Sequence, residues 1–219
     1  MWSASRRSAI LVSILALSTD SRTQAKPRTP PASPPKAQAC GPIADNTLKC
    51  PRFGFTYKVP FGWVDRSSEM QDEIPAASPD ADRSSPAKSA KSETLLAVFE
   101  RPPGAPGETI NSAVIVAAEP LSSYHEIKQP SDYLGPISEL AEQRGFKIVN
   151  EPYSFSIAAK QLVRGDFSKE RGKLTMWQSS LVMIDKGYIV SFTFVAGSED
   201  ESQALIGNLS FAANARVKK

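Results

Sequence analysis

The segment KLTMWQSSLVMI-DKG-YIVSFTFVA, residues 173 to 196, constrains the fold more than any other part of the chain. Two long runs rich in β-branched and aromatic residues flank Asp185-Lys186-Gly187, where glycine can supply positive φ, so the stretch predicts an antiparallel hairpin. Trp177 and Leu181 fall on one face of the first strand and Met176 and Val182 on the other. Both faces of the sheet therefore need a covering layer. Ser198 and Glu201 then form a capping-box pattern that predicts a last helix over SEDESQALIGNL, with Ala204, Leu205 and Leu209 as its apolar stripe.

Strand patterns recur upstream. In RFGFTYKVPFGW, Phe53, Phe55, Tyr57 and Val59 alternate with smaller or polar residues until Pro60 ends the run. Gly62 permits a tight turn that folds Trp63 back as a lid on the sheet edge. TLLAVFER (94–101) and SAVIVAAE (112–119) read as two further strands, apolar on both faces, separated by PPGAPGET. PSDYLGPISELAEQRG reads as a helix capped by Ser131, with Tyr133, Leu134, Ile137, Leu140 and Ala141 facing inward, Pro136 bending its first turn and Gly145 ending it. FKIVNE is a strand, and residues 154–166 predict another, bent at Ala158-Ala159. The polar run 67–91 lacks periodicity and is expected to be a long mobile loop, with Met70 and Ile74 its only large apolar residues.

The N-terminal quarter reads as export machinery and spacer. Arg6 and Arg7 precede the nine-residue run AILVSILAL, too short for a span that needs about 20 apolar residues. Residues 1–25 are thus expected to be a signal peptide cleaved after Ala25, with Ser18 as the competing site. Ordinary secretion fits better than twin-arginine export, and no transmembrane span is expected in the mature chain. Without that segment, the 26 Lys and Arg against 23 Asp and Glu become 23 against 22. Basic and acidic residues are interspersed, so nucleic acid is not expected as a partner. Residues 26–51 read as a linker, with five prolines between Pro27 and Pro35, followed by a loop closed by Cys40 and Cys50. As the only cysteines of an exported chain they are expected to pair, a bond worth roughly 2 to 3 kcal/mol in the chain-entropy model. Lipid attachment at Cys40 competes with pairing, although the apolar run ends at Leu17, far upstream.

Strands followed by a helix, twice over, predict an α+β fold in which an antiparallel β-sheet is sandwiched between helices. FTYKVPFGW, the helix containing SDYL, and KGYIVSFTFVAGSEDESQALIGNLSF together resemble the PsbP-type α/β/α sandwich. That superfamily includes the extrinsic oxygen-evolving protein of photosystem II, a Ran-binding nuclear-import factor, mycobacterial lipoproteins and bacterial exported proteins. The resemblance covers roughly residues 52–212, and the domain is expected over 52–214. It implies protein binding, and it carries no ion-binding residue onto this chain.

Catalytic patterns were sought beside the resemblance. His125, the sole histidine, is the one imidazole a serine nucleophile could use, with Ser122, Ser123 and Glu126 near it in sequence. A solvent-exposed loop histidine is the competing reading, and no catalytic residue is assigned. Three Cys and His residues in total leave no zinc set, and there is no phosphate loop or nucleophile elbow. Asp72-Glu73 and the Asp80/Asp82 pair read as solvated charge, with an adventitious calcium contact as the alternative. No cofactor or metal is expected. The reading is an exported, non-enzymatic protein-binding or scaffold domain whose partner is another envelope or secreted protein. A carrier of a small apolar ligand and an enzyme using His125 are the alternatives.

Overall fold

A computed structural model describes residues 40–73 and 92–212; the expected signal peptide, the linker to residue 39 and the run 74–91 lie outside the described residues. In chain order the strands are β1 (Thr47–Cys50), β2 (Phe55–Lys58), β3 (Val64–Asp65), β4 (Glu93–Phe99), β5 (Ala113–Pro120), β6 (Lys147–Ile157), β7 (Lys160–Arg171), β8 (Leu174–Asp185), β9 (Tyr188–Ala196) and β10 (Leu209–Phe211). The helices are α1 (Ser67–Glu73), α2 (Pro130–Gln143) and α3 (Glu199–Gly207). Seven strands form one sheet in the order β3-β4-β5-β9-β8-β7-β6, and β1-β2-β10 form a small second sheet. Every neighbouring pair is antiparallel. The α+β class with an antiparallel sheet between covering layers is therefore the observed one.

The predicted hairpin lies near the centre of the large sheet. Lys186 and Gly187 have φ of 49° and 77°, and Asp185 pairs with Tyr188, so the connection is a two-residue turn with both residues left-handed, as type I′ requires. Alternation then sorts the side chains. Leu181, Met183, Val190, Phe192 and Phe194 enter the main core, which the small sheet and α3 close with Phe55, Tyr57, Leu205, Ile206 and Leu209. Val182 and Ile189 point the other way and meet Leu134 of α2 and Ile127 before it. One face is thus closed by both ends of the described chain and the other by one helix and the segment just before it.

Several expectations change in detail. Residues 154–166 are not one bent strand: β6 and β7 form a hairpin in which Ile157 pairs with Lys160 across Ala158-Ala159. Ala158 takes φ of 51°, a conformation for which its sequence gives no glycine or asparagine signal. FKIVNE and the following residues form one edge strand, whose register shifts on both sides of Asn150 accommodate Pro152, tolerated because an edge strand need not donate every N–H. α2 is capped at Gln129, two residues before Ser131: the Gln129 N–H donates to the Asp132 carboxylate at 3.0 Å, while the Asp132 N–H donates to the Gln129 carbonyl at 3.1 Å. Leu140 is 46% exposed and does not belong to the inward stripe. Ala204 is likewise exposed, while Ser202 and Ile206 are buried in its place.

The run expected as a loop from residue 67 opens with α1. The Asp65 carboxylate accepts from the Ser67 N–H at 2.9 Å and hydroxyl at 2.6 Å, and so starts the helix. The Ser67 hydroxyl in turn accepts from the Ala97 N–H at 2.9 Å, and the Gln71 side-chain oxygen from the Thr94 N–H at 2.8 Å. Because β3 is only two residues long, these side chains satisfy β4 backbone donors that no strand reaches.

Candidate functional site

Pro60 ends the strand run of β2, and the Trp63 N–H returns to the Pro60 carbonyl at 3.4 Å. Gly62 has φ of 82° while Phe61 stays at negative φ, so Pro60-Phe61-Gly62-Trp63 is a type II turn with glycine at its obligatory position. This geometry divides the two rings. Trp63 is half-buried and packs against the main core, while Phe61 is 92% exposed, the most exposed large apolar side chain among the described residues. The alternating pattern marks Trp63 and gives no sign of Phe61. The available signal was the turn itself, since the residue before the glycine of a type II turn projects from the bend.

A second constellation lies inside the main core. Arg164 and Asp166, two apart on β7, share a face and pair through Nε and Oδ1 at 2.8 Å. The Ser179 hydroxyl donates to the same oxygen at 2.6 Å and lies 2.9 Å from the Ser202 hydroxyl of α3. Asn150 and the Tyr153 hydroxyl donate to Oδ2, each at 3.2 Å, and Arg164 also reaches Gln203 and Ser179. The guanidinium stands 5.2 Å from the Phe155 ring centre. Burial and then the Asp166 charge push the Tyr153 phenol above its ordinary value. Both carboxylate oxygens are occupied by protein donors, which makes this network a tie between β6, β7, β8 and α3 and leaves no lone pair aimed at a cleft. The i, i+2 spacing in LVRGDF was the only local sign of it.

The third constellation surrounds Glu119 at the end of β5. Its carboxylate accepts from the hydroxyls of Tyr124 and Tyr133, whose rings meet edge to face with centres 5.8 Å apart. Burial, reinforced by the neighbouring carboxylate, drives both phenols well above the ordinary tyrosine range. They are fixed donors at physiological pH, and they strap the 121–130 segment to the sheet. His125 sits on that segment, exposed, lining an open cleft of about 450 Å³ with Ser122, Tyr124 and Lys128. Its carbonyl accepts from Lys128 Nζ at 2.7 Å. Among the described residues its ring has no hydrogen bond to Ser122, Ser123 or Glu126, so the sequence neighbours are not brought together as nucleophile and base.

Cys40 and Cys50 are joined by a disulfide with their Cα atoms 4.0 Å apart. Cys50 is fully buried at the end of β1. The side chains of Asp72 and Glu73, and Ile74, Asp80 and Asp82 entirely, lie outside the described residues. Among the described residues no group of three acidic, histidine or cysteine side chains could hold a metal, and no helix is long and apolar enough to cross a membrane.

No family model matches the chain, and no curated protein does. Among solved structures it is similar to cyanobacterial PsbP (CyanoP) from Synechocystis sp. PCC 6803, with 10% identity and a TM-score of 0.47 over 80% of this chain and 98% of that one. It is also similar to LpqN, involved in cell envelope biogenesis of Mycobacterium tuberculosis, with 12% identity and a TM-score of 0.35 over 73% and 83% of the two chains. A third similarity is to PA94, a protein of unknown function from Pseudomonas aeruginosa, with 15% identity and a TM-score of 0.35 over 53% and 74%. At these identities, with every TM-score below 0.5, the likenesses assign neither a superfamily nor a role.

Proposed function

We propose that the chain is an exported, non-enzymatic domain that binds another envelope or secreted protein, and that the turn at residues 60–63 is its contact point. The observation that carries this reading is Phe61. A large aromatic held almost wholly in solvent by a type II turn, on a base anchored by Trp63, presents apolar area at little ordering cost. Rigid aromatic anchors of this kind supply much of the binding energy at protein interfaces. The buried Arg164–Asp166 network and the Glu119 strap support the same reading, since both use their polar groups to fix the frame. Export is supported by the Arg6-Arg7 and apolar pattern at the N-terminus together with the Cys40–Cys50 bond, which oxidising compartments favour. The carrier alternative is less well supported, because the described clefts around Glu201, Arg101 and His125 carry charged and polar side chains.

The test compares capture from the native envelope fraction by the unaltered chain, Phe61→Ala and His125→Ala. Phe61→Ala is expected to leave thermal unfolding within about 0.5 kcal/mol, as exposed substitutions do, and to weaken partner affinity by about 2 kcal/mol or more. His125→Ala is expected to change neither. Equal capture by the unaltered chain and Phe61→Ala would remove the turn as the contact.

A further inference from the structure

The loop between β4 and β5 and the tip of the β7–β8 hairpin border two adjoining clefts of about 320 and 500 Å³ that share Thr109, Ile110 and Leu174. Glu100 and Arg101 form an ion pair at 3.2 Å where the clefts meet. Glu100 and Glu201 line one, and Arg101 and Arg171 line the other.

The walls are fixed from within. Pro102-Pro103-Gly104-Ala105 closes a turn with Gly104 at φ of 79° and the Ala105 N–H on the Pro102 carbonyl at 3.0 Å. The Asn111 side chain grips the backbone of Arg101 from both sides, accepting from its N–H at 2.8 Å and donating to its carbonyl at 2.9 Å. The Arg101 guanidinium donates to the hydroxyl and carbonyl of Thr109 at 2.9 and 3.0 Å, and lies so close to Gly107 that a Cβ there would stand 2.8 Å from it. A bulkier residue would displace the arginine.

What remains unpaired has opposite sign at the two ends. Arg171 makes no ion pair or hydrogen bond through its side chain among the described residues, whereas Arg101 is held by Glu100 and Thr109. At the other end Glu201 accepts from neutral donors, the Ser112 hydroxyl at 2.6 Å and the Gly197 N–H at 2.9 Å, and makes no ion pair among the described residues. Between them, Ile110 and Leu174 give an apolar stretch shared by both clefts.

We propose that this trough binds a free amino acid or short peptide as a zwitterion, with its carboxylate at Arg171, its ammonium at Glu201 and its side chain over Ile110 and Leu174. The volumes fall in the range of small-ligand sites, about 300 to 1,000 Å³. Arginine suits a carboxylate because its planar fork can engage both oxygens. This site is separate from the Phe61 turn and does not depend on it.

Calorimetric titration of the full chain with the dipeptide alanyl-leucine tests the assignment, alongside its N-acetyl and C-amide derivatives. The free dipeptide is expected to bind saturably, and each blocked form about tenfold or more weaker, since each loses one charge-assisted contact. Arg171→Gln, at an exposed hairpin end where folding is little affected, is expected to weaken the free dipeptide about tenfold while hardly changing the amide, the non-additivity of groups that meet. Phe61→Ala is expected to bind the dipeptide normally. The proposal is overturned if the free dipeptide shows no saturable binding, if the blocked forms bind as well as it does, or if inorganic phosphate competes with equal affinity.

Discussion

The two faces of the large sheet are closed by different means. On one side the main core is sealed by β1, β2, α3 and β10, elements drawn from both ends of the described chain, and it buries the aromatic set Phe55, Tyr57, Phe192 and Phe194. Tyr57 is wholly inside, its hydroxyl donating to the Leu205 carbonyl at 3.2 Å, and burial pushes its phenol far above the ordinary range. On the other side α2 and the segment leading into it cover a smaller apolar set, and the Glu119 strap secures that segment. The contrast teaches where cooperativity resides. A defect on the first face loosens contacts from distant parts of the sequence, whereas a defect on the second is confined to one helix and the strands beneath it.

The largest expected effect sharpens that contrast. Phe192 is fully buried and meets Phe55 and Phe211 edge to face. Phe192→Ala should cost about 4 to 5 kcal/mol, against about 3 kcal/mol for Leu134→Ala under α2. Chemical denaturation with amide exchange checks the pair: Phe192→Ala is expected to raise exchange in both sheets, Leu134→Ala chiefly in α2. Global exchange from Leu134→Ala would mean the two faces are one cooperative unit.

Next comes the polar tie within the main core. Asp166→Ala leaves Arg164 buried without its anion and should cost about 3 kcal/mol, while the double change Arg164→Met with Asp166→Leu should recover a large part of that loss. Additive single costs in a double-mutant cycle would show that the pair is not coupled.

The smallest effect concerns the α2 face and pH. The Asp132 carboxyl is held below the usual carboxylate range, first by the Lys128 N–H and then by the Gln129 side chain and N–H. Since its folded value is depressed, the stability it adds is present above the ordinary value of about 3.9 and is lost as pH falls through the lower, folded value. Thermal unfolding followed from neutral pH into acid should therefore show a steeper fall for the native chain than for Asp132→Asn. Parallel curves would show that the cap does not couple to stability.

Legibility in the sequence followed the range of the interactions involved. The Lys186-Gly187 turn and the Ser198 cap were readable because glycine and serine do their work within three residues. The Ala158 turn was not, since its left-handed conformation is imposed by the pairing of β6 with β7 and no local residue announces it. Arg164 finds Gln203 at 39 residues' separation, so a sequence window shows the charge but not its answer. Phe61 is illegible for a different reason. Alternating rings suggest burial by default, and only the turn's handedness decides which of two neighbouring aromatics faces water.

The small sheet has a kinetic consequence. The β2–β10 ladder joins Phe55 to Phe211 and Tyr57 to Leu209, contacts that cannot exist until residues 209–211 are present. Loop closure over such a distance makes the step slow relative to local hairpins. Until it happens, Phe192 and Phe194 lie on a sheet whose cover is incomplete, an interval in which self-association competes with closure. The Cys40–Cys50 bond spans only 10 residues and can pin the segment before β1 to the end of that strand early, so that β2, and then the last strand, pair with an edge already held. Oxidation before completion would thus shorten the vulnerable interval, and a chain kept reduced would spend longer in it.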